Sequence, residues 1–380
     1  MLPVGPQYGF GLYIHWPYCS KICPYCDFNV YAAKARDTAP LVAAIQADIH
    51  RHRTELPDHP PLDSVFFGGG TPSLLPARDI AAIIDTARSC FDFKPGAEIS
   101  LEANPNDILA ADLPDWAAAG INRLSIGVQS LNDDALTFLG RDHDSAGALR
   151  ALELAARQFD NHSIDLIYAL PGQSLEAWQA ELTAATSLAA PHLSLYELTI
   201  AERTAFWHQA ARGDLIPMND DAQADLYEAT QAICNRAGLP AYEVSNHARA
   251  PQYQSVHNHI YWNSGDWIGV GPGAHGRLTK NHQRLATEAA RRPADYIAAN
   301  PAKTAVLPPL DIARELLAMG LRPASGLDLS RVEALTGTPI NAQEIQSLVD
   351  NGVARWNAPH LALTEPGRLL ADHITTKLAP

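Results

Sequence analysis

Cys19, Cys23 and Cys26 put three thiols within one short stretch of a chain that has five cysteines in all. Thiolates are the standard ligands of iron–sulfur clusters, and one tight loop can bring several onto a single cluster. Three thiolates on a four-iron cube leave one iron without a ligand from this stretch, and an open iron suits chemistry better than electron storage. Two plainer readings compete. A structural zinc needs a closed set of four ligands, for which His15 is the nearest supplement. A disulfide leaves one of the three thiols over, and Met1–Phe10 has no basic region followed by an apolar run, so no secretory leader is expected. Free thiols and a candidate cluster point to a reducing cytoplasm, with Cys90 and Cys234 as small buried residues of helical segments.

A second set of residues stands apart from the cysteines. Gly68-Gly69-Gly70-Thr71-Pro72 follows an apolar run, so bare backbone and the Thr71 hydroxyl are open to a ligand; the spacing is not that of a phosphate-binding P-loop. The alternative is a plain sharp turn. Glu102 and Asp165 are acids within apolar runs and Gln129 closes another, which is expensive in a central strand unless the group is paired or used. Arg141 is a candidate carboxylate partner through its planar fork. Salt bridges or solvated side chains are the plainer readings for each.

The elements that carry these residues repeat. Apolar runs at Gly11–Trp16, Ser64–Phe67, Glu98–Leu101, Arg123–Ile126, Ser163–Tyr168 and Leu193–Leu198 predict strands. Helical periodicity is expected between them over 38–50, 77–90, 107–119, 133–159 and 174–188, and again over 221–237. Strands alternating with helices mean βαβ units and a parallel sheet. Six such units predict an α/β fold, a partial (β/α)6 barrel. Cysteines, glycine triplet, Glu102 and Gln129 then fall at strand C-termini, with Asp165 within the fifth strand, on the face where such barrels build their sites.

At 380 residues one large domain and a smaller one are expected. The formal charge of −14 argues against nucleic acid as a partner. No apolar stretch reaches the roughly 18 residues of a membrane span.

Taken together, the Cys-x-x-x-Cys-x-x-Cys loop and Gly-Gly-Gly-Thr-Pro resemble the radical S-adenosylmethionine family, and the likeness runs from about Phe10 to the tail. It implies a 4Fe-4S cluster on Cys19, Cys23 and Cys26, whose open iron binds the amino and carboxylate groups of S-adenosylmethionine. By similarity, Tyr13, Tyr25, Gly70, Thr71, Pro72, Glu102, Gln129, Arg141 and Asp165 fall at contacts to that cofactor. Within the family the chain is similar to the oxygen-independent coproporphyrinogen oxidase group. There the oxidases carry a fourth cysteine two positions after the third, whereas this chain has Phe28. His257-Asn258-His259-Ile260-Tyr261-Trp262 matches the His-Asn-x-x-Tyr-Trp signature of the group's heme-chaperone branch.

That resemblance implies a heme chaperone, with heme at His257, Asn258, Tyr261 and Trp262. Its partners would be heme-accepting apoproteins, among them respiratory membrane proteins docked transiently at a membrane. Cluster and cofactor would regulate transfer or homodimer formation rather than drive turnover. The rival readings are a radical decarboxylase acting on a porphyrinogen, and an iron–sulfur scaffold without S-adenosylmethionine. A neutral imidazole is a normal axial ligand for heme iron; the plainer reading has His257 capping backbone and Trp262 filling the core. If the segment is extended, His259 points away from His257. The loop Gly269–Gly276 suits close approach to a flat ligand. Arg277, Lys280, Arg284, Arg291 and Arg292 concentrate positive charge that would suit heme propionates or simply face solvent.

The expected division is a radical S-adenosylmethionine barrel over 1–245, a heme-motif and connector region over 246–306, and a C-terminal domain over 307–380 after Leu307-Pro308-Pro309-Leu310. Helical segments plus a hairpin at Val353–Trp356 and His360–Leu363 resemble a small α+β, winged-helix-like module, read as a lid or docking domain.

Overall fold

Alternation along the strands determines this fold: one face of each strand is aliphatic and packs under helices, and the other is polar. The computed structural model describes residues 2–33, 37–299 and 302–380. Its main sheet is open and runs through β1 (Phe10–Trp16), β2 (Leu62–Gly69), β3 (Phe93–Ala103), β4 (Arg123–Gln129), β5 (His162–Tyr168), β6 (His192–Glu197), β7 (Asn246–Ala248), β8 (Asp266–Val270), β9 (His275–Lys280), β10 (Gln283–Glu288) and β11 (Lys303–Val306). Across the sheet the order is β11-β10-β9-β8-β1-β2-β3-β4-β5-β6-β7. The parallel run β1 to β6 is the expected one.

The sheet also holds strands that the sequence reading did not foresee. β8 joins the far side of β1 in parallel, and β9, β10 and β11 extend it antiparallel. Gly269–Gly276, expected as a loop, is the end of β8, a tight turn and the start of β9. Its glycines serve the chain's own packing. A Cβ on Gly271 would lie 2.2 Å from the His15 carbonyl oxygen, and one on Gly273 2.5 Å from the Asn29 side-chain nitrogen.

Helices Ala39–Glu55, Ala77–Cys90, Ser145–Gln158, Leu175–Ser187 and Asp220–Arg236 cover the outer face. They bury Leu12, Ile14, Val65, Phe67, Leu101 and Ile126 in one core with their own Ile45, Ile84 and Trp178. The helix expected over 107–119 is two, Pro105–Ala110 and Leu113–Ala119. Pro114 has no N–H for the Ala110 carbonyl and its ring would clash there. Likewise 133–159 breaks after Phe138, where Gly140 takes φ 70°. Cys90 and Cys234 are buried, as expected.

From Pro309 on, helices Pro309–Gly320, Ser330–Thr336, Ala342–Asp350 and Ala371–Leu378 surround a small sheet of Leu327–Asp328, His360–Leu363 and Ala354–Asn357. This unit has its own core of Leu316, Leu317, Val332, Leu348 and Leu361, which Val4 of the N-terminal segment joins. Arg331 fastens it to the barrel. Its guanidinium lies 3.7 Å from the centre of the Tyr8 ring and donates to the Pro3 and Asn263 carbonyls.

Candidate functional site

The polar faces of the parallel strands enclose one cavity of about 620 Å³. The cluster loop rises at its mouth, where β1 ends. Tyr18–Cys19 pairs with Tyr31–Ala32, so the two ends of the loop are stitched together at its base. Gly70 N–H donates to the Trp16 carbonyl (2.6 Å) and Thr71 N–H to the Tyr18 carbonyl (2.8 Å), which presses the glycine loop against the first cysteine. Only glycine fits at 70, since a Cβ there would meet the Tyr18 carbonyl at 2.8 Å.

Cys19, Cys23 and Cys26 all line the cavity and none is in a disulfide. Burial pushes the Cys19 thiol up and the Cys26 thiol to about 11. Thiols so shifted become ligands only when a metal displaces their protons. Among the described residues no three His, Cys, Asp or Glu converge on a single metal ion. His15 is not available as a zinc ligand either: Nδ1 bonds the Tyr13 hydroxyl (2.9 Å) and Nε2 the Asn29 carbonyl (3.0 Å). It is a strut between the cavity wall and the end of the cluster loop.

Tyr13, Tyr25, Gly70, Thr71, Pro72, Glu102, Gln129, Arg141 and Asp165 line the same cavity. Glu102 accepts from the Gly69 N–H (3.0 Å), and burial first, then the nearby Asp165 charge, raises its carboxyl to about 8. Asp165 is held by the Ser125 (2.6 Å) and Ser163 (2.7 Å) hydroxyls, and burial raises it as well. Gln129 sits at φ 66°, beside a break in the β4–β5 register. Positive φ costs a non-glycine residue on the order of 1–2 kcal/mol, so the surroundings impose this conformation.

Arg141, a candidate carboxylate partner on sequence grounds, is tied to three groups around the cavity. It donates to Cys23 Sγ (3.5 Å), Asn104 Oδ1 (2.5 Å) and the Gly127 carbonyl (2.9 Å). Gly127 leaves the room: a Cβ there would lie 3.5 Å from Arg141 Nη2 and 2.9 Å from Gln129 Nε2. Arg141 Nε is a buried donor with no partner among the described residues. Buried donors are normally satisfied, and a thiolate-bound cluster or a carboxylate fits this one. The residues therefore suit both groups that the sequence implies.

The far wall of the cavity was missed. Phe66 of β2 and His192, Ser194 and Tyr196 of β6 also line it. Extending the alternation of each strand would have found them, because they share a face with Glu102 and Asp165. His192 is committed to structure, bonded to Ser163 Oγ (2.8 Å) and the Tyr242 hydroxyl (2.9 Å).

His257 lies in a helix, Val256–Trp262, not in an extended loop. The helix closes the end of the barrel where the strands begin. Glu98 of β3 accepts from the Val256 and His257 N–H groups, and Ile260 packs against Gly11. His257 is 1% exposed, with Nδ1 on Ser64 Oγ (2.7 Å) and Nε2 on the Tyr261 hydroxyl (2.6 Å). Burial lowers it to about 3, so the ring is neutral. Asn258 and Tyr261 face the cavity, but Trp262 does not; it is buried against Tyr242 and His259 and offers no stacking surface there.

The basic residues beyond are largely spent within the chain. Arg284 is buried and paired with Asp266, which also holds His59. Arg277 forks onto Glu315 of the C-terminal unit, Arg291 meets Glu288 and Arg292 meets Asp295. By contrast Phe28, two positions after the third cysteine of the loop, is 61% exposed at the cavity mouth.

Residues 13–183 match the Radical SAM superfamily and residues 307–370 the HemN C-terminal domain. Radical S-adenosyl methionine domain-containing protein 1, mitochondrial, of Danio rerio is 36% identical over 355 residues, covering 88% of this chain and 80% of its own. Heme chaperone HemW of Haemophilus influenzae is 41% identical (70% of each chain), and that of Escherichia coli 39% (75% of each). The solved structure of coproporphyrinogen III oxidase HemN from Escherichia coli superposes with a TM-score of 0.80 at 23% identity, over 99% of this chain and 91% of that one, which establishes the fold. No helix among the described residues is long and apolar enough to cross a membrane. The chain belongs to the radical S-adenosylmethionine family, with the 4Fe-4S cluster and S-adenosylmethionine that membership implies, in the group that pairs this barrel with a HemN C-terminal domain and includes relatives named heme chaperone HemW.

Proposed function

We propose that the protein is a heme chaperone: it binds heme, a 4Fe-4S cluster and S-adenosylmethionine, and passes heme to apoproteins, respiratory membrane proteins among them. The observation that carries this reading is the exposed Phe28 beside three cysteines, an apolar rim where an oxidase presents a thiol. Relatives named heme chaperones support it. When bound, the cluster and S-adenosylmethionine supply an electron and a radical precursor. Around them Tyr13, Glu102, Gln129, Arg141 and Asp165 orient the amino acid and ribose parts, with Gly70 and Thr71 as the backbone cradle. His257, Asn258 and Tyr261 build the cavity floor, which Trp262 supports from outside.

Anaerobically reconstituted protein titrated with hemin is expected to take up one equivalent with a Kd near or below about 1 μM, roughly −8 kcal/mol. Hemin uptake no greater than that of an unrelated acidic protein would sink the reading.

Glu102 makes the cofactor site pH-dependent. It is neutral below about 8 and charged above, and a bound ammonium favours the charged form. S-adenosylmethionine is therefore expected to bind more tightly as pH rises from 6 to 8, by up to roughly tenfold per unit. Without ligand the sign is opposite for stability: the native state keeps a proton that the unfolded chain loses near 4.5, so this group's contribution falls between about 4.5 and 8. In Glu102→Gln the pH slope of binding, read by calorimetry, should vanish; an unchanged slope would clear Glu102 of the role.

A further inference from the structure

Ligation of heme iron needs an imidazole nitrogen that is free and faces room for a macrocycle. His257 lacks the first: both nitrogens are engaged, and the ring, 1% exposed, forms part of the cavity floor. His275 has both. It opens β9, its side chain is exposed, and its ring makes no hydrogen bond, ion pair or ring contact among the described residues. We propose that His275 is the protein ligand to the iron of the cargo heme, on the outer shoulder of the barrel beside the cofactor cavity. This rests on the heme-chaperone reading and moves the site.

The register of the sheet places His275. Tyr13 on the cavity wall is the ladder partner of Gly269 in β8. Gly269 abuts the backbone of His275, since a Cβ there would fall 2.2 Å from the His275 carbonyl oxygen. His275 then pairs with Glu288 of β10, and Glu288 with Lys303 of β11. Directly paired residues share a face. His275 thus stands about 10 Å, two strand spacings, from Lys303 on the same face. Among the described residues Lys303 makes no direct ion pair, though its charge acts, with those of Arg291 and His275, on the Glu288 carboxylate paired between Lys303 and His275. An ammonium two strands from the iron ligand is placed for a propionate.

The cluster loop meets this row. Asn29, next to the exposed Phe28, donates to the Pro272 and Arg291 carbonyls, so an apolar edge and a cationic edge flank His275. Here the iron sits beside the cavity and not in it, leaving the cavity to S-adenosylmethionine. The His15 strut, bonded to both Tyr13 and Asn29, then links occupancy of the cavity to the shoulder.

The test compares full-length, cluster-loaded wild type, His275→Ala and His257→Gln in hemin titrations, read by resonance Raman so that heme and cluster bands separate. His275→Ala is expected to weaken hemin binding roughly tenfold or more and to lose the imidazole-ligated signature, which free imidazole restores. His257→Gln should keep that signature. Retention of it in His275→Ala overturns the proposal, as does its loss in a folded, cluster-loaded His257→Gln. If the His257 variant does not fold, the His275 arm decides alone. Hemin that fails to bind wild type overturns the chaperone reading itself, and this proposal with it.

Discussion

Changing any one of Cys19, Cys23 and Cys26 to serine should abolish the iron–sulfur absorption band and bring iron content close to background, with the far-ultraviolet spectrum unchanged. The loop is held by backbone bonds and by the Tyr18–Cys19 pairing with Tyr31–Ala32, not by the thiols, so the fold survives their loss. Hard hydroxyls do not replace soft thiolates on iron–sulfur clusters. The raised thiols give the wild type a further signature. Cys19 and Cys26, the latter at about 11, hold their protons at neutral pH and must release them on ligation. Cluster uptake should therefore strengthen as pH rises from 7 to 9 and release protons measurably. For the apo chain the sign reverses: Cys26 keeps its proton between about 9 and 11 where the unfolded chain has lost it, so stability declines across that window. Iron retained in Cys23→Ser would contradict the ligand assignment.

Arg284→Leu should destabilise the protein by about 3–5 kcal/mol and leave hemin affinity unchanged. The pair it breaks is sealed: Arg284 is 3% exposed and Asp266 fully buried. Arg284 also donates to the Gly265 carbonyl, and Asp266 accepts from Thr279 as well as from His59. Removing the guanidinium leaves a buried carboxylate without its cation, held by Thr279 and His59, which is the costly way to break such a pair. Replacing both partners with apolar residues should recover part of the loss in a denaturant-unfolding cycle. Weaker hemin binding with unchanged stability would restore the propionate role that the sequence suggested for Arg284.

The parallel strands were legible because each apolar run ends in residues that an apolar run does not need, such as Glu102 or Gln129. The same alternation brings Tyr13, Glu102 and Asp165 to one cavity. β8 to β11 were not legible. Gly269, Gly271 and Gly273 look like a loop open to a ligand, yet they are small because His275, His15 and Asn29 pack onto them. The helix around His257 had a signal that an extended reading overlooked: Ser255 is a good N-cap, and His257 and Tyr261 stand four apart, on one helical face. Arg141 could not be judged from spacing, since its place depends on the room beside Gly127. Charge counting misled at Arg277 and Arg284, whose partners Glu315 and Asp266 come from distant or short elements.

Heme handling, as against porphyrinogen oxidation, is the centre of this account, and one anaerobic measurement addresses it. Reconstituted protein, loaded with S-adenosylmethionine and a reductant, is given coproporphyrinogen III, and both its consumption and 5′-deoxyadenosine formation are followed beside a hemin titration of the same preparation. The account predicts stoichiometric hemin binding and no porphyrinogen turnover. Sustained, multiple-turnover loss of coproporphyrinogen would contradict it.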